Sequence, residues 1–178
     1  MAKKDKGGAG GTGGGIGGKL LLIGAVLFVV SWFVPAYKGQ DVFGALPAWG
    51  ERLGAKPEGM FAAIQGPDWL PGWSACKFAW HLLTVEDSLL PKDDRWKQYL
   101  LGATCLTNAV MLLALLLAAA RQRSVVVGVV VLACAGANAS WIYLGDQNPF
   151  EVYRAGYFLW LLSFVLVGVG LCATNARK

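Results

Sequence analysis

The chain has 178 residues, of which 56% are hydrophobic and 15% are charged, and its formal net charge is +5. A soluble globular domain has about 25% charged residues. The composition therefore argues against a soluble enzyme domain, a disordered chain and a secreted disulfide scaffold, and it indicates an integral membrane protein.

A glycine-rich tail, residues 1–18, begins the chain. Gly13–Gly18 spells G-x-G-x-x-G and Gly13–Lys19 spells G-x-x-x-x-G-K, patterns that cradle phosphates when they connect a strand to a helix. No strand pattern precedes these glycines, and Leu20 stands where a magnesium-binding Ser or Thr would be. We interpret the tail as a flexible cytoplasmic tether.

Four runs are long and apolar enough to cross a membrane. Crossing about 30 Å of hydrocarbon takes about 20 residues of helix, and apart from Lys19 at the edge of the first run these segments carry no charge. The sequence thus predicts an all-α membrane protein, a bundle of four transmembrane helices, at residues 19–37, 99–120, 124–144 and 155–173.

The charges are distributed unequally between the two ends of these spans. Residues 1–19, the turn at 121–123 and the C-terminal residues 174–178 carry eight basic residues and one acidic residue. The loops at 38–98 and 145–154 carry eight basic and ten acidic residues. Since basic residues concentrate on the cytoplasmic side, we expect both termini to be cytoplasmic, no nucleic-acid binding, and a bacterial plasma (inner) membrane as the location.

The extracytoplasmic loop at 38–98 contains five of the eight tryptophans. A unit of about 60 residues buries too little surface to be very stable alone, so we expect the loop to pack against the membrane or another protein. The helical spacing of Trp73, Cys76 and Trp80 predicts an amphipathic helix near 73–90 and little or no sheet. The candidate contact residues in this loop are Trp69, Trp73 and Trp80.

An aromatic stripe marks the fourth span. Its members recur at intervals of 3, 4, 3 and 4 residues, which places them on one face of a helix. Such a stripe is typical of a packed core, but it also suits a partner helix, a lipid or a flat hydrophobic cofactor. We treat these residues as a candidate partner- or ligand-binding face: Phe150, Tyr153, Tyr157, Trp160 and Phe164.

The second and third spans are expected to form a hairpin with a turn near Gln122. Each span carries a stripe of small or polar residues. Small residues let helix backbones approach closely, and polar side chains hydrogen-bond across the gap. We expect the two stripes to meet in a packing seam made of Thr104 and Asn108 on one side and Ala133, Gly136, Ala137 and Ser140 on the other.

The segment Gly72-Trp73-Ser74-Ala75-Cys76 is similar to the G-L-W-x-x-C signature of claudin-type tetraspan proteins. Four spans, a long first outer loop and a short second one also resemble that layout. The resemblance implies a protein that assembles with copies of itself. The Leu between Gly and Trp is absent, and the loop has no second cysteine, so no residue role is taken from the family.

The spans lack the groups that membrane chemistry uses. Their interiors contain no Asp, Glu, Lys, Arg or His, which argues against a pump or an ion-coupled transporter. His81 is the one histidine, and the four cysteines form no C-x-x-C pair. We therefore predict no catalytic residue and no metal site. Three cysteines lie in spans as small apolar fillers, and Cys76 is an outer thiol with no evident partner.

Together these patterns predict a protein that is not an enzyme. We expect an accessory or scaffold subunit that docks onto a larger membrane complex, or assembles with itself, through aromatic faces. Its expected partners are membrane lipids and other integral membrane subunits, and no cofactor is predicted. Two alternatives remain: a binding protein for a hydrophobic molecule (quinone, carotenoid, chlorophyll or lipid) and a pore-forming homo-oligomer.

Overall fold

The computed structural model describes residues 15–37, 70–84, 95–144 and 153–175, and this part of the chain is mostly helical. Trp69, Phe150 and most of the two loops that contain them lie outside the described residues, as does the tail up to residue 14. The helices are α1 (Ile16–Ser31), α2 (Gly72–Thr84), α3 (Arg95–Ala119), α4 (Val125–Ala139), α5 (Trp141–Leu144) and α6 (Ala155–Asn175).

Three segments are long and apolar enough to cross a membrane, namely Gly102–Ala119, Val125–Tyr143 and Ala155–Thr174. They lie in α3, in α4 with α5, and in α6. This is consistent with an integral membrane protein. The remaining apolar helix, α1, has 16 residues.

The first predicted span differs from the structure at both ends. α1 begins three residues before residue 19, and it ends at Ser31. Residues Pro35–Tyr37 form strand β1, which pairs antiparallel with strand β2 at Leu70–Pro71. Proline disfavours a helical conformation in the residue before it, so the helix cannot continue through Pro35.

α6 lies at the centre of the bundle. Of its apolar segment 44% is buried, against 28% in α3 and 22% in α4. It contacts α1 most extensively and α4 next. The core around it consists of Leu21 and Phe28 of α1, Met111 and Ala114 of α3, Val131 and Ala135 of α4, and Phe164, Val167 and Leu171 of α6 itself.

α1 and α6 run antiparallel, with small residues of each against larger residues of the other. A Cβ built on Gly24 would lie 2.7 Å from Val167 Cγ2, and one on Gly170 would lie 3.0 Å from Leu21 Cγ. The small residues recur at seven-residue intervals on both helices, so the close approach continues along their length. They are Gly17, Gly24 and Ser31 on α1 and Gly156, Ser163 and Gly170 on α6.

α4 approaches the opposite side of α6. A Cβ on Gly128 would lie 2.9 Å from the Gly168 carbonyl oxygen, and a Cβ on Gly168 would lie 3.0 Å from the Gly128 carbonyl oxygen. These are backbone atoms, which a side chain cannot displace without moving a helix. A Cβ on Gly136, in the same helix, meets nothing within 4 Å.

The turn between α3 and α4 lies where the sequence predicts it. Arg121 has a φ of 60°, the left-handed conformation that commonly ends a helix. The Gln122 N–H donates to the Leu117 carbonyl at 2.9 Å, and the Arg121 N–H donates to the Ala118 carbonyl at 3.1 Å. These bonds satisfy carbonyls that the end of α3 would leave unpaired.

Gly128→Ala is expected to destabilise the protein by up to about 2 kcal/mol. The new methyl group overpacks the contact with α6 at a cost of about 1–3 kcal/mol, and the preference of a helix for Ala over Gly offsets roughly 1 kcal/mol of it. Gly136→Ala is the matched control and should be neutral or stabilising. Thermal unfolding midpoints in mild detergent compare the two, and equal midpoints would contradict the close approach at Gly128.

Candidate functional site

α2 packs against α3 at one end of the bundle, which we call the α2 end. Backbone contacts join this end to α1 and α6. A Cβ on Gly72 would lie 2.6 Å from the Ser31 carbonyl oxygen, so α2 begins directly against the end of α1. The Arg154 N–H donates to the Ala36 carbonyl at 2.8 Å, which ties strand β1 to the start of α6.

A group of polar and thiol side chains lies inside the bundle at the α2 end. Polar groups removed from water need hydrogen-bond partners, and in lipid those partners must come from the protein. We call this group the polar cluster, and it consists of Cys76 of α2, Cys105, Thr107 and Asn108 of α3, Asn138 of α4, and Tyr157 and Trp160 of α6.

Asn138 links α4 to both of its neighbours in the polar cluster. Its Nδ2 donates to Thr107 Oγ1 at 3.1 Å, and the Thr107 hydroxyl donates to the Thr104 carbonyl at 2.6 Å. The Asn138 carbonyl accepts a hydrogen bond from the Tyr157 hydroxyl at 2.6 Å. Since α4 ends at Ala139, its last carbonyls lack helical donors, and Tyr157 supplies one.

Asn108 connects three helices. Its Oδ1 accepts a hydrogen bond from Trp160 Nε1 at 2.8 Å, and its Nδ2 points to Cys76 Sγ at 3.7 Å. Cys76 Sγ lies 3.0 Å from Cys105 Sγ. A chain of contacts therefore runs from α6 through α3 to α2.

The described residues of the aromatic stripe, from Tyr153 onward, pack into the bundle. Tyr157 and Phe164 are 1% and 0% exposed. Tyr153 stacks on Tyr157 with ring centroids 4.2 Å apart, and Trp160 meets Phe164 edge to face at 5.3 Å. Phe28 of α1 meets Phe164 at 6.1 Å. The stripe packs α6 against its neighbours, and a partner or ligand could reach Tyr157 and Phe164 only if the bundle opened.

Tyr153 lies at the α2 end of the bundle, just before α6 begins. Its hydroxyl donates to the Trp141 carbonyl at 3.1 Å. Burial raises the pKa of Tyr153 to about 12. The hydroxyl therefore stays protonated, and able to donate, at neutral and moderately alkaline pH.

Contrary to the expectation from the sequence, the small-residue stripe of α4 does not pack against α3. Ala133, Gly136 and Ala137 are exposed, and the Ser140 hydroxyl donates to the Ala137 carbonyl of the same chain segment at 2.6 Å. α4 turns Asn138 inward instead. A buried amide finds hydrogen-bond partners there, whereas small apolar side chains need none.

Exposed aromatic side chains surround the α2 end. The tryptophans of α2 are about half exposed, Trp73 at 50% and Trp80 at 53%. Trp and Tyr are enriched where a membrane meets water, so this distribution is typical of the interfacial end of a membrane bundle. The other exposed aromatic residues described at this end are Phe33, Trp96, Tyr99 and Tyr143.

The chemistry of the polar cluster is that of neutral hydrogen-bonding groups and two thiols. Within the described ranges, no group of three His, Cys, Asp or Glu residues could hold a metal ion. The amides and hydroxyls join helices to one another. The thiols of Cys76 and Cys105 are the most readily oxidised members of the cluster.

Two features of the polar cluster did not emerge from the sequence patterns. Asn138 is the most polar residue of its span, a signal that could have marked the buried face of α4. The approach of Cys76 to Cys105 has no signal in residue spacing, because it depends on where α2 docks.

The fold defines a helical protein with three helices long and apolar enough to span a membrane. The chain matches no protein-family model, no curated protein and no solved structure.

Trp160→Phe is expected to cost about 0.6–2 kcal/mol of stability, because it leaves the buried Asn108 oxygen without its donor. Trp141→Phe is the matched control: Trp141 Nε1 is buried and has no hydrogen-bond partner among the described residues. Unfolding midpoints in mild detergent compare the two variants. A loss in Trp141→Phe as large as in Trp160→Phe would contradict a stabilising Trp160–Asn108 bond.

Proposed function

We propose that this protein is a non-catalytic accessory or scaffold subunit of a bacterial plasma membrane, which docks onto other membrane subunits or onto copies of itself. One observation carries the proposal. The polar and aromatic side chains of the bundle interior bond and pack with one another, while α4 turns a face of small residues outward. In a bundle whose interior amides are already paired, contacts with other molecules are made by the outer surface.

In this proposal α1 is a fourth membrane span. It lies antiparallel to α6, with Gly17 near Thr174 at one end, and Pro35 of β1, which follows α1, lies near Gly156 at the other. A chain segment that accompanies α6 along its length passes through the same layer of the membrane. The basic residues before α1 and in the turn at 121–123 support cytoplasmic termini and an outer location for α2.

We assign docking to the outward face of α4. α4 belongs to the least buried of the three candidate spans, and Ala133, Gly136 and Ala137 are exposed on it, with open space beside Gly136. Helices in lipid associate by close backbone packing, which small residues permit. This face replaces the expected aromatic one, because Tyr157 and Phe164 already pack inside the bundle.

The double variant Ala133→Leu/Ala137→Leu is expected to lose its companions or its self-association, because the larger side chains prevent close approach of a second helix. The measurement is purification from native membranes in mild detergent, with mass spectrometry and an absorption spectrum of the same fraction. The matched control is Ala103→Leu/Ala109→Leu, which changes two exposed alanines of α3.

Three results would count against this proposal. A wild-type protein that purifies alone and monomeric would overturn the subunit function. Companions retained by the α4 double variant would exclude this docking face. A pigment or quinone band in the spectrum would favour the hydrophobic-ligand alternative.

The topology predicts opposite labelling of two exposed positions, Lys77 in α2 and Gln122 in the α3–α4 turn. In a cysteine-free background, Lys77→Cys should react with a membrane-impermeant maleimide on intact cells. Gln122→Cys should react only after permeabilisation. The reverse pattern would invert the proposed orientation.

A further inference from the structure

Two of the four cysteines face each other across two helices. Cys76 Sγ of α2 and Cys105 Sγ of α3 are 3.0 Å apart, roughly 1 Å longer than a disulfide bond. Cys105 Sγ also lies 3.5 Å from the Cys76 carbonyl oxygen, so its thiol points at the backbone of α2. The other cysteines have different surroundings: Cys134 packs against the apolar core, and Cys172 Sγ lies 3.9 Å from a backbone carbonyl.

We propose that Cys76 and Cys105 form a disulfide bond that ties α2 to α3 in the mature protein. The two thiols react with a small-molecule or protein disulfide, R–S–S–R. One S–S bond forms between Cys76 and Cys105, the S–S bond of the oxidant breaks, and two R–SH molecules carry away the two protons and two electrons.

The formation of this bond in the cell rests on the proposed orientation. Disulfide oxidants operate outside the cytoplasm, and the proposed topology puts α2 on that side. The contact between the two sulfur atoms is independent of orientation, because it follows from the packing of α2 on α3.

The disulfide stabilises α2, a short helix that is only partly buried. This helix has 13 residues, and an isolated helix of that length is marginal in water. Both of its tryptophans at residues 73 and 80 are about half exposed, so apolar burial holds it only in part. A covalent link from Cys76 to Cys105 fixes the first half of α2 to α3 and limits the freedom of the intervening chain.

The bond also bears on the polar cluster. Asn108 Nδ2 points to Cys76 Sγ, and Asn108 Oδ1 accepts the hydrogen bond of Trp160 Nε1. A disulfide at Cys76 therefore holds α2 over the same amide that joins α3 to α6.

The test counts free thiols in the full-length protein. Cells that express a Cys134→Ser/Cys172→Ser variant are quenched in acid to prevent thiol exchange. The protein is then denatured and labelled with polyethylene-glycol maleimide, in one sample before reduction and in another after it. A disulfide gives no tag before reduction and two tags after it. Two tags before reduction would overturn the proposal.

A second variant shows which sulfurs are paired. Adding Cys76→Ser to that background leaves Cys105 alone, so one tag is expected with or without reduction. No tag before reduction would mean that Cys105 pairs outside this contact, and that result also overturns the proposal.

The tethering of α2 is measured by limited trypsin digestion of the purified protein at Lys77, an exposed residue of α2. Cleavage should be several-fold faster in Cys76→Ser than in the wild type and unchanged in Cys134→Ser. Equal rates in all three would show that no bond restrains α2. These readouts do not depend on companions in the purification, so this proposal and the proposed function fail separately.

Discussion

The bundle depends on direct backbone contact between α6 and the helices on either side of it. α1 reaches α6 at Gly170, and α4 reaches it at Gly168. Residues two apart in a helix lie on nearly opposite faces, so α1 and α4 contact opposite faces of α6. In lipid there is no hydrophobic force to draw helices together, and close packing takes its place. The aromatic core and the docking of α2 are arranged around this central helix.

Hydrogen bonds between buried side chains add to the glycine contacts at the α2 end. Gly17 and Gly128 meet the C-terminal part of α6, whereas Trp160 bonds to Asn108 near its start. Backbone contacts with α6 continue to the α2 end at Gly156, where the buried amides are also paired, so these amides have their partners within the bundle. Because the interior amides of the bundle are already paired, we place the proposed function on its outer surface. The proposed disulfide would link α2 to these packed helices as well.

Several elements could be predicted from local sequence alone. Uncharged apolar runs indicated the helices, and the charges at 121–123 marked the turn between α3 and α4. The first predicted span and α1 differ in their bounds, because the apolar residues continue past Ser31, where α1 ends, into strand β1. Of the aromatic stripe, Tyr157, Trp160 and Phe164 pack along one side of α6, but whether that side points inward depends on the neighbouring helices.

The length and apolar character of the helices, their periodic faces and the charge difference between their ends follow from local sequence, because each is a property of a continuous segment. Which face of each helix is buried depends on how the helices pack together. α4 had both a small-residue stripe and Asn138, and pairing with Thr107 turned Asn138 inward. The packing of the helices also brought Cys76 to Cys105. Such contacts join residues far apart in the chain, so they follow only from packing all the helices together.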